Sequence, residues 1–391
     1  MSDHLNQIVK VLLLLAFAAV MVVVPYQQWF GPPMENHENR KLAELPALPE
    51  NKKDLWKFPK AFSNYMDDNF GFRSHLLRSY HRVMVESGTS PSDKVVLGKS
   101  GWLFFTNQNL TDQNRGAMPL SDERLKRYLK GFRSQREWVE GLGAHYVLLP
   151  TPDKNTMYPE FLPDWVKQVG PSRYDQVFDY LRNNNEPFVD VEPNLWAAKD
   201  SGENLYRQTD THWNCLGGFR AYEALMTMVE TFDLPNVTRL TEDDIEFTNL
   251  PKKNGGDMAR NVLLLDDILL EPFEVKCEVK NPEPVKGIRI KDGYVAKLPL
   301  VPKGQGERWR YIKQSHESKT RVLMYRDSYS YAMLQYLILS FDELIVVSRP
   351  DLKFDNSAVR EFKPDLVIYQ FVERSLYWRP TFKPDDSASS G

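Results

Sequence analysis

An acid–imidazole pair stands in the middle of the chain, in the segment TDTHWNCLGG that spans residues 209–218. Asp210 and His212 are two positions apart. In an extended segment such residues point the same way, about 6.6 Å apart along the backbone. The carboxylate can then fix the imidazole tautomer and stabilise the imidazolium that forms when the ring takes a proton. The pair indicates general-base chemistry, and an ordinary packing or capping role for His212 stays open.

A metal site is the second chemistry that an Asp-x-His pair suits, but a metal needs a third and a fourth ligand. The other histidines form no metal-like motif, so we expect no metal. The chain also lacks the glycine-rich nucleotide motifs GxGxxG and GxxxxGK[ST], and we expect no cofactor.

A candidate nucleophile follows 116 residues later, in RVLMYRDSYSYAMLQYLILSF. A buried strand there runs into Asp327 and Ser328 and then into an apolar helix. A serine at such a turn lies at the carboxyl edge of a parallel sheet, where open α/β folds place their sites. The helix N-terminus offers backbone N–H groups to a developing oxyanion. The alternative is an N-cap pair, since Asp and Ser are favoured caps.

Short apolar runs alternate with amphipathic helices from about residue 95 onward, which predicts a mainly parallel sheet covered on both faces. VVLGKSGWLFF is typical of a hairpin. The expected helices are residues 123–143 and 172–185. Residues 235–318 fit this alternation less well and suggest an insertion rich in loops or antiparallel strands. The expected buried strands are 144–150, 187–191, 320–325, 343–348 and 365–371.

The N-terminus carries fourteen uninterrupted apolar residues, VLLLLAFAAVMVVV. With its flanks, the stretch from Ile8 to Phe30 is long enough for one transmembrane helix. A cleaved signal peptide is the competing reading, but cleavage after Ala18 would leave apolar residues behind. We therefore expect a tail and anchor over 1–30, a linker and helical arm over 31–94, a catalytic domain over 95–380 and a disordered tail over 381–391.

Composition narrows the function classes. The 391 residues carry 50 basic and 53 acidic side chains, with 42% hydrophobic and 12% aromatic residues, as expected for a globular protein. No basic stripe with interleaved aromatics points to nucleic acid. Cys215 and Cys277 are the two cysteines. They could form one disulfide in an oxidising compartment, or remain two buried thiols.

Segments in a fixed order make the chain resemble the SGNH-hydrolase-like proteins of the alginate O-acetylation type, the AlgJ/AlgX group, which acetylate exopolysaccharides in the cell envelope. They run from about residue 38 to 376 and read ENRKLAELP, FSNYMDDNFGFRSHL, LGKSGWLFF, TPDKNTMYPEFLP, TDTHWNCLGGFRAY, NGGDMAR, YRDSYS and FKPDLVIYQFVERS. The resemblance implies Ser328 as nucleophile, His212 as general base and Asp210 as its partner. It also implies the order in which Asp and His precede Ser.

The resemblance further implies a polysaccharide acceptor, a membrane-bound acyltransferase that supplies acetyl groups, and a catalytic domain on the periplasmic side of the inner membrane. An esterase on the same triad and a non-catalytic glycan-binding scaffold remain alternatives. Arg326 favours the scaffold, because the family motif usually reads Gly-Asp-Ser or Gly-Thr-Ser. If that glycine permits a tight turn or supplies space, Arg326 alters the turn geometry or substrate access.

Further substrate contacts can be named only as candidates. Asn155 and Gln370 come just after or at the end of strands and could donate to the oxyanion, and Arg326 could contact substrate. Trp213, Trp102 and Tyr158 could stack on sugar rings, while burial in the core is the alternative for each.

Overall fold

A seven-stranded mixed sheet forms the centre of the described part of the molecule. The computed structural model describes residues 2–31, 41–107, 109–291, 293–296, 308–313, 319–348, 354–378, 380 and 382, with side chains from residue 6 onward except at 296. The strands are β1 (Val95–Leu97), β2 (Leu103–Phe105), β3 (His145–Thr151), β4 (Ile245–Leu250), β5 (Glu274–Val279), β6 (Val285–Arg289), β7 (Val295–Ala296), β8 (Arg308–Lys313), β9 (Arg321–Arg326), β10 (Glu343–Ser348) and β11 (Leu366–Val372).

Helices cover both faces of this sheet and precede it in the chain. They are α1 (Ser2–Phe30), α2 (Lys52–Asn69), α3 (Arg73–Glu86), α4 (Leu110–Asn114), α5 (Asp122–Glu140), α6 (Lys154–Met157), α7 (Arg173–Asn183), α8 (Glu192–Asp200), α9 (Cys215–Val229), α10 (Tyr331–Ser340) and α11 (Asn356–Phe362).

The sheet order is β3-β11-β9-β10-β8-β6-β7. The first four strands are parallel, and β8, β6 and β7 continue the sheet as antiparallel strands. The predicted α/β fold is thereby confirmed, and its parallel half brings the carboxyl ends of β3, β9 and β11 to one edge. Residues 235–318 supply antiparallel strands as expected, and their status as an insertion stays a prediction.

Alternating side chains of the parallel strands enter two different cores. On β9, Val322 and Met324 pack toward α9 and α10, whereas Leu323 and Tyr325 pack toward α5, α7 and α11. This period of two explains why the parallel strands read as continuous apolar runs, since each face is covered by helices.

Most predicted elements are present, with one correction. The hairpin of β1 and β2 is confirmed, and the arm consists of two helices, α2 and α3, that are separated near Gly71. The strand predicted over residues 187–191 is wrong. That segment is extended beside β3, where Val189 N–H donates to Leu148 O at 2.8 Å, but Pro187 has no N–H to contribute and no ladder forms.

The N-terminal helix α1 contains a stretch, Asn6–Phe30, that is long and apolar enough to cross a membrane by length and composition. Its end touches the arm that α2 and α3 form, where the Trp29 and Tyr65 ring centroids lie 6.5 Å apart. Helix α3 docks on the domain over residues 95–380, since Arg78 donates to Leu264 O at 2.9 Å and His81 Nδ1 lies 2.7 Å from Leu263 O. The predicted disordered tail lies outside the described residues, apart from 382.

Candidate active site

Asp210 and His212 lie in a bend between the bridged residues Tyr206 and Trp213. The segment is therefore not extended, and the spacing of two residues does not by itself bring the two side chains together. The Asp210 carboxylate accepts the backbone N–H of His212 at 2.9 Å, which closes a local turn of the kind that Asp favours. This turn still carries the carboxylate to the ring of its own neighbour.

The three predicted residues form a continuous hydrogen-bond chain. Asp210 Oδ1 lies 2.7 Å from His212 Nδ1, and His212 Nε2 lies 2.8 Å from Ser328 Oγ. Burial alone would raise the pKa of Asp210, but the hydrogen bond and charge of His212, with the charge of Arg207, bring it well below its usual range. Asp210 is thus held as a carboxylate. The arrangement can take a proton from the serine hydroxyl.

Ser328 opens a 3₁₀ turn, Ser328–Ser330, that leads from β9 into α10, as the sequence predicts. Asp327 caps this turn by accepting the N–H of Tyr329 at 2.9 Å. The Ser328 N–H lies at the start of the helical segment, among the donors that a helix leaves without an internal partner. It is the structure's first candidate for an oxyanion donor.

Gln370 fixes the serine turn from the neighbouring strand β11. Its Oε1 accepts the Asp327 N–H at 3.1 Å, and its Nε2 donates to Asp327 Oδ1 at 3.0 Å and to Thr151 Oγ1 at 3.3 Å. The side chain is 1% exposed. These contacts make Gln370 a positioning residue, and its role as an oxyanion donor stays a prediction.

Arg326 ends β9 in strand conformation, so this position needs no backbone that only glycine adopts. Its guanidinium is buried, lies 4.2 Å from the Tyr331 ring centroid and donates to Asp327 O at 3.2 Å. The expectation that Arg326 disturbs the turn is therefore wrong, because the side chain packs under α10 and braces the turn. A direct substrate contact stays a prediction.

A second carboxylate that sequence reasoning missed lies beside His212. Asp257 accepts the Thr211 N–H at 2.7 Å and the Thr211 hydroxyl at 2.6 Å, and its Oδ2 is 3.6 Å from His212 Nδ1. The Asp257 N–H in turn donates to Asp210 Oδ2 at 3.0 Å. A Cβ added at Gly256 would lie 2.4 Å from Asp210 Cβ, so only glycine permits this approach. The pair Gly255-Gly256 before an acid is the signal that could have found it.

Two buried side chains fix the bend that carries Asp210 and His212 through hydrogen bonds to its backbone. Lys154 Nζ donates to the carbonyls of Arg207, Gln208 and Asp210, the last at 2.7 Å, and burial lowers its pKa to about 8. Glu271 accepts the N–H groups of Gln208 and Thr209. The bend is therefore fixed at its carbonyls and at its amides.

The candidate sugar-stacking rings are buried. Trp213 is 0% exposed, and its indole N–H donates to Tyr329 O at 2.8 Å. Tyr158 accepts the Leu205 N–H, and Trp102 stacks on it with centroids 4.6 Å apart. The structure contradicts stacking on a sugar, because neighbouring rings already cover these faces. Asn155 is also buried, and its amide donates to Phe105 O at 3.4 Å. Its role as an oxyanion donor stays a prediction.

The ligand atoms of Asp210, His212 and Asp257 lie within 4.8 Å of one another, a spacing that a metal ion can bridge. The same carboxylate oxygens accept N–H and O–H donors, and His212 Nε2 faces Ser328. The contacts thus fit a proton relay, and a cation there would compete with these hydrogen bonds.

A cavity of about 610 Å³ opens beside the relay. It lies between α3 and the domain over residues 95–380, and Thr211 and Asp257 form part of its wall.

Cys215, three residues after His212, forms a disulfide with Cys277 on β5. The first of the two possibilities left open for the cysteines is the one present.

Comparison with known proteins identifies the family. Residues 95–292, about half of the chain, match the family described as SGNH hydrolase-like domain, acetyltransferase AlgX. This range contains Asp210, His212 and Asp257 and ends before Ser328. A probable alginate O-acetylase AlgJ of Pseudomonas putida is 29% identical over 143 residues, which are 36% of this chain and 35% of that protein. The alignment thus covers about a third of that relative's length.

Solved structures agree on the fold. PatB1 of Bacillus cereus superposes with a TM-score of 0.55 at 14% identity, over 73% of this chain and 97% of that one. A DHHW family protein of Eubacterium siraeum gives 0.50 at 15% identity, over 71% and 93%. These likenesses concern the fold alone. With the family match across the bend that carries Asp210 and His212, the chain belongs to the AlgX-type acetyltransferases with an SGNH hydrolase-like domain.

Proposed function

We propose that the protein is an O-acetyltransferase that passes an acetyl group through Ser328 to a hydroxyl of an exopolysaccharide or cell-envelope glycan. The observation that carries the proposal is the relay from Ser328 Oγ through His212 to Asp210, with contacts of 2.8 and 2.7 Å. The membership of the family supports the acetyl group as the one transferred.

In the first half-reaction, His212 Nε2 takes the proton of Ser328 Oγ while that oxygen attacks the carbonyl carbon of an acetyl ester. The tetrahedral oxyanion is stabilised by the Ser328 N–H at the helix start. The donor oxygen leaves with the proton from His212, and acetyl-Ser328 remains. Asp210 stabilises the imidazolium throughout.

In the second half-reaction, a sugar hydroxyl gives its proton to His212 Nε2 and attacks the acetyl-serine carbonyl. Ser328 Oγ leaves and takes the proton back, which restores the enzyme. Exclusion of water during this step separates a transferase from an esterase. The cavity beside Thr211 and Asp257 is the route by which we expect the acceptor to reach His212.

For location, we propose that α1 anchors the chain in the inner membrane and that the domain over 95–380 lies on the periplasmic side. The apolar length of Asn6–Phe30 supports the anchor. The Cys215–Cys277 disulfide supports an oxidising compartment. A membrane-bound acyltransferase as acetyl supplier is proposed from the family resemblance.

The full chain, purified in detergent, tests the chemistry. It is incubated with 4-nitrophenyl acetate, with and without an acceptor oligosaccharide, and intact mass reports acetyl-enzyme. We expect acetyl on Ser328 and on the acceptor. Ser328→Ala should abolish both, whereas the matched control Ser330→Ala, two residues along the same turn, should keep the adduct.

Other outcomes identify the alternatives. Fast hydrolysis with no acetyl on the acceptor would indicate an esterase. If the acetyl-enzyme forms at the same rate in the wild type and in Ser328→Ala, Ser328 is not the nucleophile. The non-catalytic scaffold is then the remaining alternative. Activity that a chelator removes and Zn²⁺ restores would replace the proton relay with a metal site.

A further inference from the structure

Helix α2 carries an apolar face that the described part of the chain covers only in part. Its apolar residues recur at helical spacing at positions 55, 58, 62, 65 and 66. No residue of α2 is buried, and Leu55 on this face is 59% exposed. An apolar stripe on a helix normally packs against a partner.

The C-terminal part of this face touches the end of α1. Tyr65 faces Trp29 with ring centroids 6.5 Å apart, and Gln28 Nε2 lies 3.2 Å from Met66 Sδ. Trp29 lies in the last turn of the apolar stretch Asn6–Phe30, where aromatic rings favour a membrane–water interface. The apolar face of α2 therefore starts at the depth where a span by α1 would end.

The N-terminal half of α2 is basic. Lys52, Lys53, Lys57 and Lys60 are all exposed, and Asp54 is the one acidic residue among positions 52–60. The lysines lie beside and opposite the apolar face on the helix surface. A basic side of a helix next to an apolar face that exposes Leu55 and half-exposes Phe58 is the pattern of helices that lie in the surface of an anionic bilayer.

We propose that α2 lies in the membrane surface, with Leu55 and Phe58 in the boundary between headgroups and acyl chains and its lysines on anionic lipid headgroups. The inference rests on the proposed membrane anchoring by α1. A bilayer is favoured over a protein partner because the face continues from the end of the span and is flanked by cations. A second copy or another protein is a contrary outcome of the test.

The experiment places a dye on each side of α2 in the full chain. Leu55→Cys and Asn64→Cys are labelled with a fluorophore, and each carries one free thiol because Cys215 and Cys277 are bonded to each other. Asn64 is exposed and lies nine positions from Leu55, on the opposite side of the helix. The proteins are placed in nanodiscs of phosphatidylglycerol or phosphatidylcholine with nitroxide-labelled lipid.

We expect the nitroxide to quench the label at position 55 at least about threefold more than the label at position 64. Replacement of the four lysines by Gln should reduce quenching at position 55 in phosphatidylglycerol more than in phosphatidylcholine, because only the former is anionic. Equal quenching at both positions, or quenching at 64 alone, overturns the proposal and leaves the face to a protein partner.

Co-purification of the chain with the nanodisc keeps the two failures apart. If the chain enters nanodiscs but the label at position 55 is not quenched, the result supports the anchor by α1 and contradicts the position of α2 in the membrane surface. A chain that does not enter nanodiscs overturns the anchor and the surface helix together.

Discussion

Two carboxylates act on His212 in different ways. Asp210 contacts the ring directly at 2.7 Å, whereas Asp257 reaches it through the Thr211 hydroxyl, which lies 3.1 Å from His212 Nδ1. The second carboxylate adds negative charge beside an imidazole that becomes an imidazolium in each half-reaction of the proposed mechanism. Asp257 is therefore a positioning residue with an electrostatic contribution.

Replacement of Asp257 by Asn should lower kcat about tenfold to a hundredfold and leave KM for the acetyl ester nearly unchanged, because charge is lost beside the imidazolium. Steady-state kinetics with the acetyl ester measure both constants. An unchanged kcat would contradict a contribution of Asp257 to the stability of the imidazolium.

Glu192, the first residue of α8, gives a pH dependence of stability. Burial, with the charges of Asp175 and Asp190, raises its pKa to about 7 from 4.5. The folded state thus holds a proton that the unfolded state releases, so the contribution of Glu192 to stability is greatest below pH 4.5 and falls as pH rises to about 7. Glu192→Gln should be equal to wild type at pH 4 and more stable by about 2 kcal/mol at pH 8.

Denaturant unfolding of both proteins at each pH measures this difference. Glu246→Gln replaces an exposed carboxyl on β4 and is the control. A stability gain that is the same at pH 4 and pH 8 would contradict a titrating origin.

Residue types and spacing were sufficient to name Asp210, His212 and Ser328. They were insufficient for Asp257, whose role depends on a tertiary contact that Gly256 permits. They also misplaced Trp213, because a sequence does not distinguish a ring covered by neighbours from one open to solvent.

At the scale of elements, the contact between α9 and α10 aligns His212, the proposed base, with Ser328, the proposed nucleophile. Helix α9 follows His212 and α10 follows Ser328, so their separation controls the distance between the two side chains. A Cβ added at Gly218 would lie 2.5 Å from Ala332 Cβ and 2.7 Å from the Ala332 carbonyl carbon. The second glycine of TDTHWNCLGG is thus explained by close helix packing.

Gly218→Ala should destabilise the protein by about 1 to 3 kcal/mol, since overpacking forces the helices apart. It should also lower the rate of Ser328 acetylation. The double variant Gly218→Ala/Ala332→Gly removes one of the two clashing methyl groups and should recover part of both losses. Thermal unfolding and adduct formation measure them, and a double variant no better than the single one would contradict the contact.

Strands β3, β9, β10 and β11 could be predicted because both their faces are covered and they read as apolar runs. The failed strand at 187–191 shows the limit of that signal. Residues 187–191 have the apolar composition of a strand and lie beside the edge strand β3. Because Pro187 has no N–H to donate, they do not form a ladder with β3.

At the scale of the whole molecule, the disulfide joins the start of α9 to β5 across 62 residues of sequence. It holds the antiparallel pair of strands β4 and β5 against the start of α9, the helix that follows His212. The sequence supplied the two cysteines but not their pairing, since their distance is set by the tertiary fold.

Reduction of this bond should lower the free energy of unfolding by about 2 to 4 kcal/mol, because the unfolded chain gains the freedom of a long loop. Thermal unfolding with and without dithiothreitol measures the loss. The double variant Cys215→Ser/Cys277→Ser should unfold at the reduced protein's temperature and be insensitive to the reductant. A wild type equally stable in both conditions would contradict the prediction.

The relay joins parts of the chain that are far apart in sequence. Thr211 and Asp257 are 46 residues apart, and His212 and Ser328 are 116 residues apart. In the proposed mechanism, Ser328 therefore has no base until the segment with His212 and the strand before the serine have come together. On the proposed route across the membrane, an unfolded chain could not form the acyl-enzyme, and acetylated Ser328 would report that folding is complete.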